Sequence, residues 1–444
     1  MRFTPIIFKI FCINLFLLGV LMAGNSPIKS VLPKHYQTTL KNGLEVVVIP
    51  LENQSDVITT DIFYKVGSRN EVMGKSGIAH MLEHLNFKST KNLKAGEFDT
   101  IVKGFGGATN AATSFDYTHY YIKSSTQNLG KSLELFSELM QNLSLKDEEF
   151  QPERNVVAEE RLWRTDNNPM GYLYFRLFNT AFIYHPYHWT PIGFMDDIKN
   201  WSIEDIRAFH RLYYQPQNAV IVIAGDIDEK VAFKEVKKYF DKIQNASEIP
   251  TKLHTQEPKQ EGERRVKVHK QSEVEILTLA FRIPPFNHQD QIALSALSEI
   301  LSGGKSSPLV SEIVDKKRLA TEVYAYNMDL MDDGLFILMG LANTGVSLEK
   351  LEKAILAEID KIKQGKLKAS ELEKAKTNLR ASFLYELESS SGVANLFGSY
   401  LVRNDLESLL KFEQDFENLK LEDIVKVAQK YFVPQNATIL TLTK

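Results

Sequence analysis

A gapless internal repeat constrains this 444-residue chain more than any other feature. Residues 203–219 and 421–437 share a start (Glu204, Asp205, Ile206; Glu422, Asp423, Ile424) and a Pro-Gln-Asn-Ala end. Pro216 and Pro434 fix the offset (434 − 216 = 218 residues). Each copy spaces its apolar residues as an amphipathic helix does, turns at Pro-Gln-Asn, and enters an apolar strand at 220–224 or 438–442. Such a strand needs a sheet, and such a helix needs a surface to cover. Two copies therefore predict two similar domains of about 210 residues.

The stretch between the copies, 244–264, is rich in Pro, Glu, Lys, Gln and Thr and is expected to be an exposed linker. Strand-like runs follow at 266–268 and 276–281, then helical runs at 348–364 and 369–387. The expected class is α+β, two similar layered α/β domains related by internal duplication. The expected domains are 30–243 and 265–444.

The chemistry is concentrated in His80-Met81-Leu82-Glu83-His84. On a helix, Ile78, Met81, Leu82 and Leu85 form an apolar stripe, while His80, Glu83 and His84 lie together roughly opposite. Two imidazoles at i and i+4 can hold one zinc ion, and a neighbouring Glu can take a proton from its water. The order HxxEH reverses the common HExxH zinc motif. Catalytic zinc usually has three protein ligands. Cys12, the only cysteine, sits in the N-terminal apolar run, so the third ligand is expected to be His, Asp or Glu. The best local candidate is the helix-forming run 153–162, in which Glu153 and Glu160 share one line and Glu159 turns away.

The motif at 80–84 followed by Glu153 and Glu160 resembles the pitrilysin/insulinase metallopeptidases, which include the mitochondrial processing peptidase β-subunit. The spacing from His84 to Glu160 (160 − 84 = 76 residues) is similar to that family's. Residues 106–120, 185–193 and 213–226 also resemble family segments. The resemblance implies two domains of mostly antiparallel sheet packed with helices. It implies one zinc ion per chain, with His80, His84 and Glu160 as ligands, Glu83 as general base, and Glu153 as a supporting catalytic glutamate. It implies an extended peptide substrate bound along the strand Asn110-Ala111-Ala112-Thr113. Alternative readings are a non-catalytic assembly or binding subunit of the same fold, or a zinc hydrolase with a non-peptide substrate.

The second half departs from the family pattern. At the repeat offset, His80, Glu83, His84 and Glu160 fall on Ser298, Leu301, Ser302 and Asn378, so the metal site is expected in the first half alone. Family members often place an Arg and a Tyr, seven apart, toward the substrate carbonyl. Here those positions hold Val314 and Thr321. A homologous partner subunit is therefore expected to supply the pair, making a heterodimer. Gly303-Gly304-Lys305-Ser306 is not a phosphate loop, because Glu299 stands where the first glycine is required.

A net charge of −3 with no basic stripe argues against nucleic acid. Arg2 and Lys9 precede an apolar run at 10–22 that ends in Ala23 and Gly24, the build of a secretory signal peptide over 1–24. Export to the periplasm is expected, with membrane attachment only if that segment stays uncleaved. The mature chain would then carry no cysteine.

Overall fold

A computed structural model describes residues 30–250, 253 and 255–444. The expected signal peptide and Cys12 lie outside the described residues. The first sheet contains β1 (Tyr36–Thr39), β2 (Glu45–Pro50), β3 (Val57–Tyr64), β4 (Ala108–Thr113), β5 (Thr118–Ser125) and β6 (Ala219–Gly225). The second contains β7 (Arg264–His269), β8 (Ile276–Ile283), β9 (Ala320–Met328), β10 (Gly334–Ala342) and β11 (Ala437–Thr443).

The strand orders are β1-β2-β6-β3-β5-β4 and β7-β11-β8-β10-β9. Without β1, the two orders correspond strand for strand at the repeat offset. The parallel pairs also correspond, β2 with β6 and β7 with β11. All other pairs are antiparallel. The Pro-Gln-Asn turns are single 3-10 turns at Pro216–Asn218 and Pro434–Asn436, and each leads straight into its strand.

The matching helices are α1 (Ile78–Asn86), α2 (Leu129–Asn142), α3 (Asp147–Arg161), α4 (Pro169–Ala181) and α5 (Ile203–Tyr213) in the first half. Their counterparts are α6 (Gln291–Ser302), α7 (Leu348–Lys363), α8 (Ala369–Glu386), α9 (Ser390–Leu401) and α10 (Leu421–Tyr431). Each half builds a core between one sheet face and its own helices.

The other faces are covered by exchange. Helix α4 lays Leu173, Leu177 and Phe178 on Ile276, Ala280 and Leu440 of the second sheet. Helix α9 lays Val393, Ala394 and Phe397 on Val47, Phe63 and Val222 of the first. Neither sheet could stay in water without its neighbour's helix, because both outer faces are apolar.

Polar contacts reinforce this seam. Asp332, in the β9–β10 turn, accepts from Arg69 Nε at 2.5 Å and faces His185 Nε2 at 3.0 Å. Asp116 accepts from the Met331 amide at 3.0 Å and from the Tyr187 hydroxyl. Burial acts against the Asp332 carboxylate, but His185 and Arg69 hold it down to about 2. A carboxyl depressed on folding stabilises above its unfolded value, and that contribution fades as pH falls through the folded value. Asp332→Asn should therefore lower the thermal midpoint near neutrality. The gap from wild type should close between about pH 4 and pH 2 in a pH series of melting curves.

The segment expected as an exposed linker is mostly exposed among its described residues, and two of its side chains anchor it. The Glu257 carboxylate accepts the backbone N–H groups of Ile183, Tyr184 and His185 at 2.9–3.0 Å. Gln260 is buried and donates to the Ala437 carbonyl at 2.8 Å. The polar composition that suggested solvent serves here to satisfy main-chain groups that would otherwise be orphaned.

Candidate metal centre

Helix α1 starts at Gly77, whose φ of 87° is left-handed and favours glycine. A Cβ there would also run into the Ile192 carbonyl and the Trp201 ring. Glu71 fixes the same end. Its carboxylate accepts the Gly77 and Ala79 amides, both at 2.8 Å, and the Trp189 indole N–H at 2.7 Å. Burial pushes this carboxyl up to about 8 against those three donors. Ile78, Met81, Leu82 and Leu85 are buried in the first core, as the helical periodicity predicts. That burial sets the rotation of α1 and turns His80, Glu83 and His84 toward α3 and β4.

Helix α3 brings Glu153 and Glu160 to the same place. Glu160 Oε2 lies 3.3 Å from His84 Nε2 and 3.7 Å from His80 Nε2. One donor atom from each of these three residues falls within a 4.8 Å cluster. Glu153 Oε1 lies 2.8 Å from His84 Nδ1, and its other oxygen binds Lys88 Nζ at 2.5 Å. An ionised carboxylate only accepts, so Nδ1 carries a proton and Nε2, on the Glu160 side, is the nitrogen left to give up its proton to a metal. This is the carboxylate–imidazole arrangement that orients a metal-binding histidine. Arg164 Nε holds Glu160 Oε1 at 2.9 Å, leaving Oε2 toward the histidines.

The electrostatics suit a cation. Burial and then the neighbouring His84 push His80 down to about 4, which keeps it a neutral donor. Burial would also lower His84, but Glu153 and Glu160 outweigh it and raise it to about 9. That is the response of a ring placed where positive charge is favoured. The donor set of two imidazoles and a carboxylate, with His84 already turned by Glu153, fits zinc. His80 Nδ1 is buried with no hydrogen-bond partner among the described residues, so only His84 has its outer nitrogen tied. Glu153→Gln should weaken zinc binding about 10–100-fold in a chelator competition, because it loosens the hold on the His84 ring.

Glu83 stands beside the cluster rather than in it. Its Oε2 accepts from the Thr113 hydroxyl at 2.5 Å. Burial raises its pKa, against the pull of Thr113 and His84. A carboxylate moved toward neutrality is a better base near neutral pH. Thr113 ends β4, the outermost strand of its sheet. Along β4, Asn110 and Ala112 are exposed, while Ala111 and Thr113 turn toward the α1 side.

The structure therefore brings His80, Glu83, His84, Glu153 and Glu160 together and sets 110–113 along the adjoining edge. Lys88 and Arg164 were missed in the sequence. The available signal was their i+4 spacing from His84 and Glu160. Glu71 gave no signal, since it lies in an aperiodic loop. In the second half, Leu301 is buried and Asn378 Nδ2 donates to Glu299 at 2.6 Å, so no comparable donor set forms at the repeated positions. Val314 packs against the second core, and Thr321 is exposed on β9.

Known proteins share this arrangement of sequence and fold. Residues 46–188 match the family described as insulinase (peptidase family M16), and residues 200–379 match the peptidase M16 inactive domain. The zinc protease PqqE of Helicobacter pylori is 55% identical, covering 95% of this chain and 96% of that protein. A crystal structure of a protease from the same organism superposes with a TM-score of 0.91 at 56% identity, covering 93% of this chain and all of that one. The probable mitochondrial-processing peptidase subunit β of Arabidopsis thaliana is 26% identical, covering 86% of this chain and 73% of that protein. With the duplicated fold and the zinc-type donor cluster of its first half, this chain belongs to the insulinase family of zinc proteases, peptidase family M16.

Proposed function

We propose that this chain is the zinc-bearing subunit of an endopeptidase that cleaves unfolded or extended peptides. The observation that carries the reading is the meeting of His80, His84 and Glu160 donor atoms beside a separate, Thr113-bonded Glu83. His80, His84 and Glu160 would hold one zinc ion, with Glu153 orienting His84. When bound, zinc would acidify a water molecule and polarise the scissile carbonyl. Glu83 removes the proton from the attacking water and delivers it to the departing amine. Thr113 keeps the Glu83 carboxylate in one orientation. The free edge of β4, at Asn110, Ala111, Ala112 and Thr113, pairs with the peptide backbone as an added strand. Backbone pairing aligns the substrate with little demand on its sequence.

Residues 30–243 would form the catalytic domain and 265–444 a second domain without metal, joined by 244–264. Val314 and Thr321 offer no cationic or phenolic donor to a developing oxyanion. A homologous partner subunit would supply an Arg/Tyr pair, giving a heterodimer. The apolar run at 10–22 supports export to the periplasm. Among the described residues, no helix is long and apolar enough to cross a membrane.

The test is purification of the single chain, zinc-loaded, with and without homologous subunits from the same cell fraction. The single chain should bind zinc but cleave unfolded peptides slowly. Adding the partner should raise kcat by about 10²–10³, the effect of restoring an oxyanion donor. Full activity from the rigorously purified single chain would refute the heterodimer.

A further inference from the structure

A peptide paired with β4 points alternate side chains to opposite faces of the sheet. One set faces α1 and the metal centre. The other set faces a group that the hydrolysis does not use. His119 on β5 lies directly across from Ala112 of β4 and from Phe63 of β3, on the face away from α1. Its Nδ1 faces the two Asp61 oxygens at 3.2 and 3.3 Å. Its ring stacks on Phe63 with centroids 4.8 Å apart.

Asp61 is 2% exposed, in the middle of the sheet. Burying a polar Asp–His contact at such a place costs desolvation that a well-packed apolar pair would avoid, so packing alone does not account for it. Helix α9 covers this face over β6 and β3, but β4 keeps Asn110 and Ala112 exposed. His119 stands at that border with its side chain 13% exposed. Asp61 fixes the proton on Nδ1, so Nε2 is left as an acceptor. Among the described residues the hydrogen bonds of the ring run through Nδ1 alone, and the side chain keeps some contact with solvent.

We propose that His119, oriented by Asp61, forms a side-chain subsite on the sheet face away from the metal centre and selects a hydrogen-bond-donating residue of the bound peptide. Its ligand class is a long donor side chain, Gln, Lys or Arg, because a strand added to β4 lies two strand spacings, about 9.5 Å, from β5. The β4 residue paired with His119 is Ala112, which is exposed and puts no more than a methyl group on this face. This inference rests on the peptidase reading above.

The test uses the zinc-loaded enzyme with its partner and pairs of peptides that differ at one position, Gln against Met and Lys against Met. Each position on both sides of the scissile bond is scanned. Competition within one reaction gives a ratio of kcat/KM values, which cancels any general loss of activity. At one position the donor should be preferred about fivefold to tenfold, the effect of one hydrogen bond. The double variant Asp61→Val/His119→Phe removes both partners without orphaning either, and should bring that ratio close to one. If that variant does not fold, His119→Gln decides, because moving the acceptor should at least halve the ratio. The proposal is overturned by the absence of any donor preference, by a preference for Glu at that position, or by a ratio unchanged in the variants. Loss of all peptide cleavage in the zinc-loaded wild type would instead sink the peptidase reading on which it stands.

Discussion

Glu83→Gln is expected to lower kcat for peptide hydrolysis by about 10²–10⁴-fold while the protein still binds one zinc ion. The amide keeps the size of the carboxylate and can still meet the Thr113 hydroxyl, so helix α1 should hold its place. It cannot accept a proton at neutral pH. Because Glu83 stands outside the three-residue donor cluster, metal content should not follow activity down. Steady-state kinetics beside metal analysis of the same preparation separate the two. Loss of zinc together with activity would move Glu83 into the ligand set. Retained activity would remove it from the chemistry.

Phe397→Ala is expected to destabilise the fold by about 3–5 kcal/mol, the cost of emptying a large aromatic site in a core. Phe397 is fully buried where α9 of the second half crosses the first sheet. Its neighbour Gly398 lies so close to the Phe63 ring that a Cβ there would collide with it, so the helix has little room to sink into the cavity. Since the exchanged helices join both sheets, the damage should not stay in one half. Denaturant unfolding followed by two probes, one per half, should show a single transition moving to lower denaturant. Tyr385→Ala, at a residue 68% exposed, serves as the control and should change stability by no more than about 0.5 kcal/mol. Separate transitions, with only one moved, would mean that the halves are independent and the exchange is incidental.

The parts of this molecule legible in its sequence are those encoded by short-range periodicity. The HxxEH helix could be read because its apolar stripe and its polar triad are both set by the helical turn. Glu160 could be placed on a helix for the same reason, but its approach to His80 and His84 needed the resemblance, since nothing local says which helices meet. The repeat foretold two like sheets, and the strand orders bear that out. The exchange of α4 and α9 was not legible. The spacing of Leu173, Leu177 and Phe178 announces a buried face without saying whose sheet it covers. The anchoring by Glu257 and Gln260 was not legible for a related reason, because a polar residue that satisfies backbone groups has the same composition as one in water. Asp61 and His119 sit in ordinary-looking strands, and only the register of β3, β5 and β4 brings them together.

A single zinc ion held by two helices of the first half can be seen by X-ray absorption at the zinc edge of the purified protein. One zinc per chain is expected, bound by two imidazole nitrogens and carboxylate or water oxygens at about 2.0–2.2 Å, with the signal lost in Glu160→Gln at limiting zinc. A substoichiometric or weakly held metal, or a spectrum unaltered by that substitution, would contradict it.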